Sequence, residues 1–583
     1  MPMPMPSDCE EQTCDRNIEL ELAFGLKEVE LSWKPYDGAT EYHVLENTAA
    51  GFVQIGSALP PTTLRVTLPL SVHEIDWTNA RYRLQACTQA GCIDSPAISI
   101  SDSMLSTIGY VKATNTDPED KLGYALALSG DGKTLAIGAP HEGANASANP
   151  LDNSAESAGA VYILHRSASG WEHQAYLKAS NAEAWDEFGR AIAISNDGNT
   201  LAVGARPESS AAVGIGGNQS DNSLMHSGAV YVFARSGASW HQEAYIKATN
   251  PSAGDFFGTA VALSGNGNAL AVGVYYEDSG SPGINGAQDD ESVSNAGAVH
   301  LYKRSGSTWS HDAYIKASNP GIDAAFGAAV ALSRDGNMLA VGSPGERSAG
   351  VGINGSQQNA GLVNAGAVYA YRRVSGTWSQ QAYIKASYTD ADDHFGFSVA
   401  LDAAGNTLAV GAKGESSGAT GTAGDPGDDG ATNAGAVFVF SRSNTTWSQQ
   451  AHLKAAFTHA GYELGWRVAL SDDGNTLITG SPGDASSFDG VGRSATDQSD
   501  QGAPNAGAAV LFTRASSVWT QAAYIKAANS GAADRFGSDV ALSSDASVLA
   551  IGAPSEAGLA TGVGASIGAD NNMATGAGAV YLY

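Results

Sequence analysis

The stretch FGTAVALSGNGNALAVG, residues 257–273, decides the fold, and GAVHLYKR (297–304) and WSHDAYIKA (309–317) complete its unit. FGTAVALS carries small and apolar residues on both faces, as an inner strand buried on both sides requires. Gly265-Asn266-Gly267-Asn268 then makes a tight turn, and ALAVG is a second strand. Other copies place Asn-Asp-Gly-Asn (196–199), Arg-Asp-Gly-Asn (334–337) or Asp-Asp-Gly-Asn (472–475) at this turn. Asn-Gly and Asp-Gly between apolar runs are a strong hairpin signal, because these residues accept positive φ. GAVHLYKR reads as a third strand, and WSHDAYIKA, polar and alternating, as a fourth.

The unit recurs along the chain. The tyrosine of YIKA falls at Tyr110, Tyr176, Tyr245, Tyr314, Tyr383 and Tyr524, with His452 in its place once, giving spacings of 66, 69, 69, 69, 69 and 72. Trp171, Trp240, Trp309, Trp378, Trp447 and Trp519 stand five residues before six of these positions. Four antiparallel strands repeated seven times predict an all-β chain, a seven-bladed β-propeller of four-stranded antiparallel blades over residues 107–583. The seventh copy stops at Tyr583 after its third strand, and Ile108–Ala113 is a fourth strand with no blade before it. Residues 107–113 are therefore expected to complete the last blade.

Composition agrees. The chain has 583 residues, 70 of them Gly, with 43% hydrophobic residues and a net charge of −29 from 60 acidic and 31 basic groups. That balance repels nucleic-acid phosphate, the apolar content argues against disorder, and no apolar run is long enough to span a membrane.

Residues 18–106 lack the repeat. Short strand-like runs separated by turn residues predict a small β-sandwich there. LSW (31–33), GATEYHV (38–44) and ARYRLQACTQAGC (80–92) resemble a fibronectin type III domain. All four cysteines precede the repeats: Cys9 and Cys14 in the 1–17 tail, Cys87 and Cys92 about a hairpin tip. Four cysteines allow three connectivities. Local pairs, Cys9–Cys14 and Cys87–Cys92, are the expected ones, and free thiols are the alternative. Disulfides would place the protein outside the reducing cytosol, extracellular or at the cell surface. MPMPMPSD has neither the basic start nor the apolar core of a signal peptide, so export would rest on a leader already removed or on another route.

The repeats resemble FG-GAP repeats, the units of integrin α-like propellers, and most closely their bacterial, surface-associated form. The FG signature stands at Phe188-Gly189, Phe257-Gly258, Phe326-Gly327, Phe395-Gly396 and Phe536-Gly537, and drifts to Leu122-Gly123 and Leu464-Gly465. GAP stands at 138–140 and 552–554, and GSP at 342–344 and 480–482. Integrin-type blades often hold calcium in a D-x-D-x-D-G loop before the second strand. Here that place is a short turn such as Gly130-Asp131-Gly132-Lys133, with too few oxygens for the six to eight ligands of calcium. The resemblance implies a recognition surface on the face carrying the long loops.

Those loops, between the second and third strands, hold 21 acidic and 4 basic residues, a net of −17 out of −29. Each opens on an acid: Glu142, Glu208, Glu277, Glu346, Glu415, Asp484 and Glu556. After a glycine-rich bend come Asp152, Asp221-Asn222, Asp290, Asp428 and Asp570. Carboxylates and amide oxygens gathered by a bend suit Ca²⁺; the alternative is turn residues bonding their own backbone. A second set of acids, Asp120, Asp186, Asp255, Asp393 and Asp534, precedes FG by two residues and is expected to act structurally, as a turn cap or as the partner of the repeated lysine.

Enzyme signatures are missing from the sequence. Gly130-Asp131-Gly132-Lys133-Thr134 resembles the end of a P-loop, but Ala127 replaces the first glycine and the context is a hairpin. The chain has no HExxH, and its cysteine pairs are too local for a zinc site. The repeated tryptophans suit packing between blades better than a sugar platform. The sequence thus predicts a non-enzymatic surface recognition or adhesion protein, binding a protein or glycan through the acidic loop face with calcium assistance. Its alternatives are a structural subunit of a surface assembly and an enzyme in the central funnel.

Overall fold

The computed structural model describes residues 18–583 except 49, 78, 147–148, 168–169, 359, 423, 493–494 and 565–571. Cys9, Cys14 and Asp570 lie outside the described residues. The chain divides into two compact units, one ending at Thr107 and the other spanning Ile108–Tyr583. Almost all regular structure is β, and no helix among the described residues is long and apolar enough to cross a membrane.

The first unit holds two antiparallel sheets. One orders Leu20–Gly25, Glu28–Trp33 and Arg65–Pro69. The other orders Gly51–Leu59, Glu41–Thr48, Arg81–Thr88 and Gly91–Asp94, with Ile98–Ser99 also paired to Arg81–Thr88. Alternation places Val29, Leu31 and Trp33 in the interior from one sheet and Tyr42, Val44, Tyr82 and Leu84 from the other. Cys87 and Cys92 face each other in register and form a disulfide.

The second unit repeats one plan. Its first sheet runs Ala125–Leu128, Thr134–Ala139, Ala160–Ser167 and Gly170–Leu177, all antiparallel, the make-up of a propeller blade. Seven such sheets follow one another among the described residues, the sixth widened by Val491–Gly492. The last joins Asp539–Leu542, Leu549–Ala553 and Ala579–Leu582 to Gly109–Val111, with Tyr581 opposite Tyr110. The strand after Thr107 thus belongs to the sheet that ends the chain.

The repeat signature is a seam between sheets. Val161, Ile163 and Leu177 of the first sheet share a core with Leu201, Val203 and Tyr231 of the second, and later pairs do the same. Full burial of such a side chain contributes about 1.5–3 kcal/mol. Gly228, opening a GAV run, has φ of 81°, and a Cβ there would stand 2.1 Å from the carbonyl oxygen of Phe257 in the next sheet. Only glycine fits that approach. Five of the six repeated tryptophans also bridge sheets: Trp309 Nε1 donates to Glu243 at 2.8 Å and Trp519 Nε1 to Gln450 at 2.9 Å, each on the preceding outer strand.

At the turns between first and second strands the sheets are linked in a circle. The N–H of Gly130 donates to the carbonyl of Asn196, that of Asn196 to Gly265, Gly265 to Arg334, Arg334 to Ala403, Ala403 to Asp472, Asp472 to Ser544, and Ser544 back to Gly130, at 2.9–3.1 Å. Each turn is itself held by a short polar side chain, as where Asp197 Oδ1 accepts from the N–H of Asn199.

Removal of residues 1–107 is expected to leave the second unit folded, whereas removal of 1–114 takes away its closing strand and leaves the buried Glu556 without Lys112. Stranding a buried charge costs about 3–5 kcal/mol, so the shorter fragment should show a lower urea midpoint. Equal midpoints for the two fragments would refute the closure.

Candidate functional site

The acids that open the long loops are not loop acids. All seven are buried, each against the lysine of its own YIKA segment. The Nζ atoms of Lys178, Lys247, Lys316, Lys385, Lys454, Lys526 and Lys112 lie 2.5–3.2 Å from Glu142, Glu208, Glu277, Glu346, Glu415, Asp484 and Glu556 respectively. Tyr110, Tyr245, Tyr314 and Tyr524 of the same segments donate their hydroxyls to the same carboxylates. These acids, expected to hold calcium, are placed otherwise: all seven carboxylates are buried in ion pairs with lysine, and four also accept from a tyrosine hydroxyl. The second and fourth strands flank the third and end at the same edge of the sheet, which brings the acid after one near the lysine after the other. Burial lowers the pKa values of Lys178, Lys247, Lys316, Lys385, Lys454 and Lys526, and the carboxylates oppose that shift.

The later loop acids close their own turns. Asp152 Oδ1 accepts from the N–H of Ser154, Asp221 Oδ1 from Ser223, and Asp428 Oδ1 from Gly430, at 3.0–3.1 Å, while Asn222 donates to Glu183. Asp290 is half-buried in its loop. Among the described residues one trio of metal-ligating side chains comes together, Glu41, His43 and Cys87, and Cys87 is bound in the disulfide.

The acids before FG are caps. Asp120, Asp186, Asp255, Asp393 and Asp534 accept from the N–H three residues earlier, at 2.8–3.3 Å. Burial pushes Asp120 up to about 8 and Asp186, Asp255 and Asp393 up to about 7.

What differs from sheet to sheet gathers elsewhere. Among the positions that vary are the residue before FG, the residue after FG, and the residue following the second strand. These three lie at the end of the sheets that carries the long loops, beside the strands nearest the axis. The residues before FG, Lys121, Glu187, Phe256, Ala325, His394, Glu463 and Arg535, all have φ between 52° and 61°. Such φ values are uncommon for residues with a Cβ and concentrate at functional sites.

Residues after FG and after the second strand, with His394 from before FG, line a basin of about 580 Å³ on the axis. One side holds Tyr124, Arg190, Arg206, Tyr275 and Tyr276, the other Phe397, Lys413 and Arg467, with His394 between. Arg190 and Arg206 share Glu187, at 2.9 and 3.5 Å. Lys413 Nζ lies 4.5 Å from the ring centre of Phe397 and 4.7 Å from that of Trp466, and Arg467 and Arg535 approach the same rings. Burial, with help from the two arginines, lowers the pKa of Lys413, and burial also lowers that of His394. Below the basin a neck is lined by the inner strands, where the small residue of other sheets (Ala125, Ala191, Ala260) becomes Arg467 and Asp539, 3.6 Å apart. Burial pushes Asp539 up to about 6.

Sequence reasoning passed over every residue of this basin. The readable signal was positional: near-identical repeats that disagree beside FG, at the second residue after it, and just past the second strand.

Residues 171–233, 240–302 and 378–440 match the FG-GAP repeat, and each match runs from the outer strand of one sheet to the third strand of the next. No curated protein matches the chain. Among solved structures it is similar to the periplasmic gluconolactonase PpgL of Pseudomonas aeruginosa (11% identity, 84% of this chain and 98% of that one, TM-score 0.40). It is also similar to Sqt1 of Chaetomium thermophilum (14% identity, 77% and 82%, TM-score 0.38) and to the RRP9 WD40 repeats (9% identity, 82% and 96%, TM-score 0.41). At these scores the likenesses carry no argument.

Lys247→Met should destabilise the second unit by about 3–5 kcal/mol, by stranding the Glu208 charge, and adding Glu208→Leu should recover much of the loss; urea unfolding checks both. Asp255 titrates near 7 when folded against an ordinary 3.8, so it binds its proton more tightly in the folded state. Its stabilising contribution is full below about pH 4 and is lost as pH rises through about 7. Asp255→Asn keeps the capping oxygen, so its stability should gain on that of the wild type between pH 5 and pH 8 in thermal melts; a constant difference would sink the assignment.

Proposed function

We propose that residues 108–583 form a seven-bladed β-propeller of a non-enzymatic recognition protein at an extracellular or cell-surface location, and that its ligand is an anion seated in the axial basin. The observation that carries this reading is the concentration of sequence differences, rich in cations and aromatic rings, at one point of a repetitive ring. A chain of net charge −29 places four basic side chains, Arg190, Arg206, Lys413 and Arg467, around one mouth, with Arg535 on the Trp466 ring that Lys413 also approaches. Desolvated cations beside aromatic faces form a strong receptor for a negative group.

The remaining loop acids encircle this mouth on the same face and discourage uniformly anionic polymers, favouring a ligand whose charge is local. Calcium assistance, in this reading, falls to exposed loop oxygens such as those of Asp221 and Asp428. The first unit, read as a fibronectin type III-like β-sandwich, serves as a spacer or second contact.

A second reading, an enzyme in the funnel, is favoured by the same asymmetry and by His394 at the basin wall, whose pKa burial lowers. The state of Glu187 supports recognition instead: two arginines hold its carboxylate. A carboxylate fixed by a guanidinium is poorly placed to take a proton.

Arrays of neutral and anionic glycans and peptides, probed with the full chain, test the proposal. Binding should be confined to anionic members, fall with added salt, and drop at least tenfold in Lys413→Gln while surviving His394→Ala. Binding confined to neutral members, or unchanged in Lys413→Gln, would overturn it, and a ligand converted by the wild type but not by His394→Ala would establish the enzyme reading.

A further inference from the structure

We infer that the basin takes the carboxylated end of a sugar chain, an inference that rests on the anion reading above and names its ligand class. The two sides of the basin are unlike. Around Arg190 and Arg206 the charge is partly met by Glu187, whose carboxylate contacts both. Across the axis, Arg467 and Arg535 reach their acids only at 3.6 and 3.7 Å, and Lys413 makes no ion pair among the described residues. Three cations packed on the rings of Phe397 and Trp466 thus share two loosely held carboxylates. A single carboxylate placed there would meet Lys413 directly and the guanidinium of Arg467 beside it, in charge-assisted hydrogen bonds.

The facing wall suits a ring. Tyr275 and Tyr276 pack edge to face with centres 4.4 Å apart, and Phe256 lies 5.5 Å from Tyr276. Phe256 keeps a φ of 57°, and Tyr276 is 39% exposed. The exposed ring of Tyr276, lining the basin opposite a cation cluster, is a stacking platform: the C–H face of a pyranose covers it while the hydroxyls point away. Between the walls stand amide–carboxylate pairs, Asn295 Nδ2 to Asp323 Oδ1 at 2.8 Å and Asn364 Nδ2 to Asp392 Oδ1 at 2.9 Å. Neighbouring donors and acceptors of this kind match vicinal hydroxyls. The basin volume, about 580 Å³, lies within the roughly 300–1,000 Å³ of small-molecule sites, which favours a chain end over a folded partner.

Titration calorimetry of the full chain, with melting temperatures as a folding control, compares three probes: a glucuronate-terminated trisaccharide, the same sugar ending in glucose, and an Asp-Glu tetrapeptide. The uronide should bind at least tenfold more tightly than the neutral sugar. Lys413→Gln should remove that advantage, leaving the neutral sugar unaffected, and Lys413→Arg should retain most of it. Tyr276→Ala should weaken both sugars by a similar factor. Binding of the peptide without the uronide would overturn the sugar assignment and leave the anion reading standing. Equal binding of the two sugars, or binding of none of the three probes, would overturn this inference, and the arrays above would then decide the anion reading separately.

Discussion

A four-stranded sheet apolar on both faces has no stable existence alone, and every other feature of residues 108–583 follows from how that constraint is met. Each sheet covers its neighbour, so an open row would leave two bare faces. The circle of backbone hydrogen bonds from Gly130 through Ser544 and back leaves none at the turns, and pairing of Gly109–Val111 with Ala579–Leu582 ties the first repeat into the last sheet. The glycines of FG and GAV serve the same end, since close approach of adjacent backbones is what lets flat sheets meet around an axis.

Closure also explains why so much charge can be buried. A lysine–carboxylate pair in a protein interior is costly by itself, because the attraction seldom repays the lost hydration. Here it fixes local geometry. The carboxylate of Glu142, Asp484 or Glu556 also accepts from the N–H two residues on, so the pair holds the first turn of each long loop to the outer strand. Loops leaving a clamped start can vary in sequence without disturbing the sheet.

Strands and seams were legible because two-sided burial and Asp-Gly or Asn-Gly turns have direct sequence signatures. The local disulfide of Cys87 and Cys92 was legible for a similar reason, both cysteines standing at one hairpin tip. The acids that open the loops were misread because their partner is distant in sequence: four pairs, from Glu208 with Lys247 to Glu415 with Lys454, are separated by 39 residues. A constant offset between two opposite charges in a repeat is a register of contact. The acids before FG left cap and ion pair open, and only the position of the N–H three residues back separates them.

The basin was hidden for the opposite reason. A search for repeats looks for what recurs, and a single binding centre in a symmetric ring must consist of what does not. Seven equivalent positions beside FG offer one backbone geometry, all at positive φ, on which Glu187, Phe256, His394 and Arg535 are alternative side chains. The scaffold supplies orientation once and the chain chooses chemistry sevenfold, so each side of the basin combines cations and aromatic rings in its own way. Symmetry of the frame is thus what allows asymmetry of the site, and the divergent residues of a regular repeat are where its chemistry is to be sought.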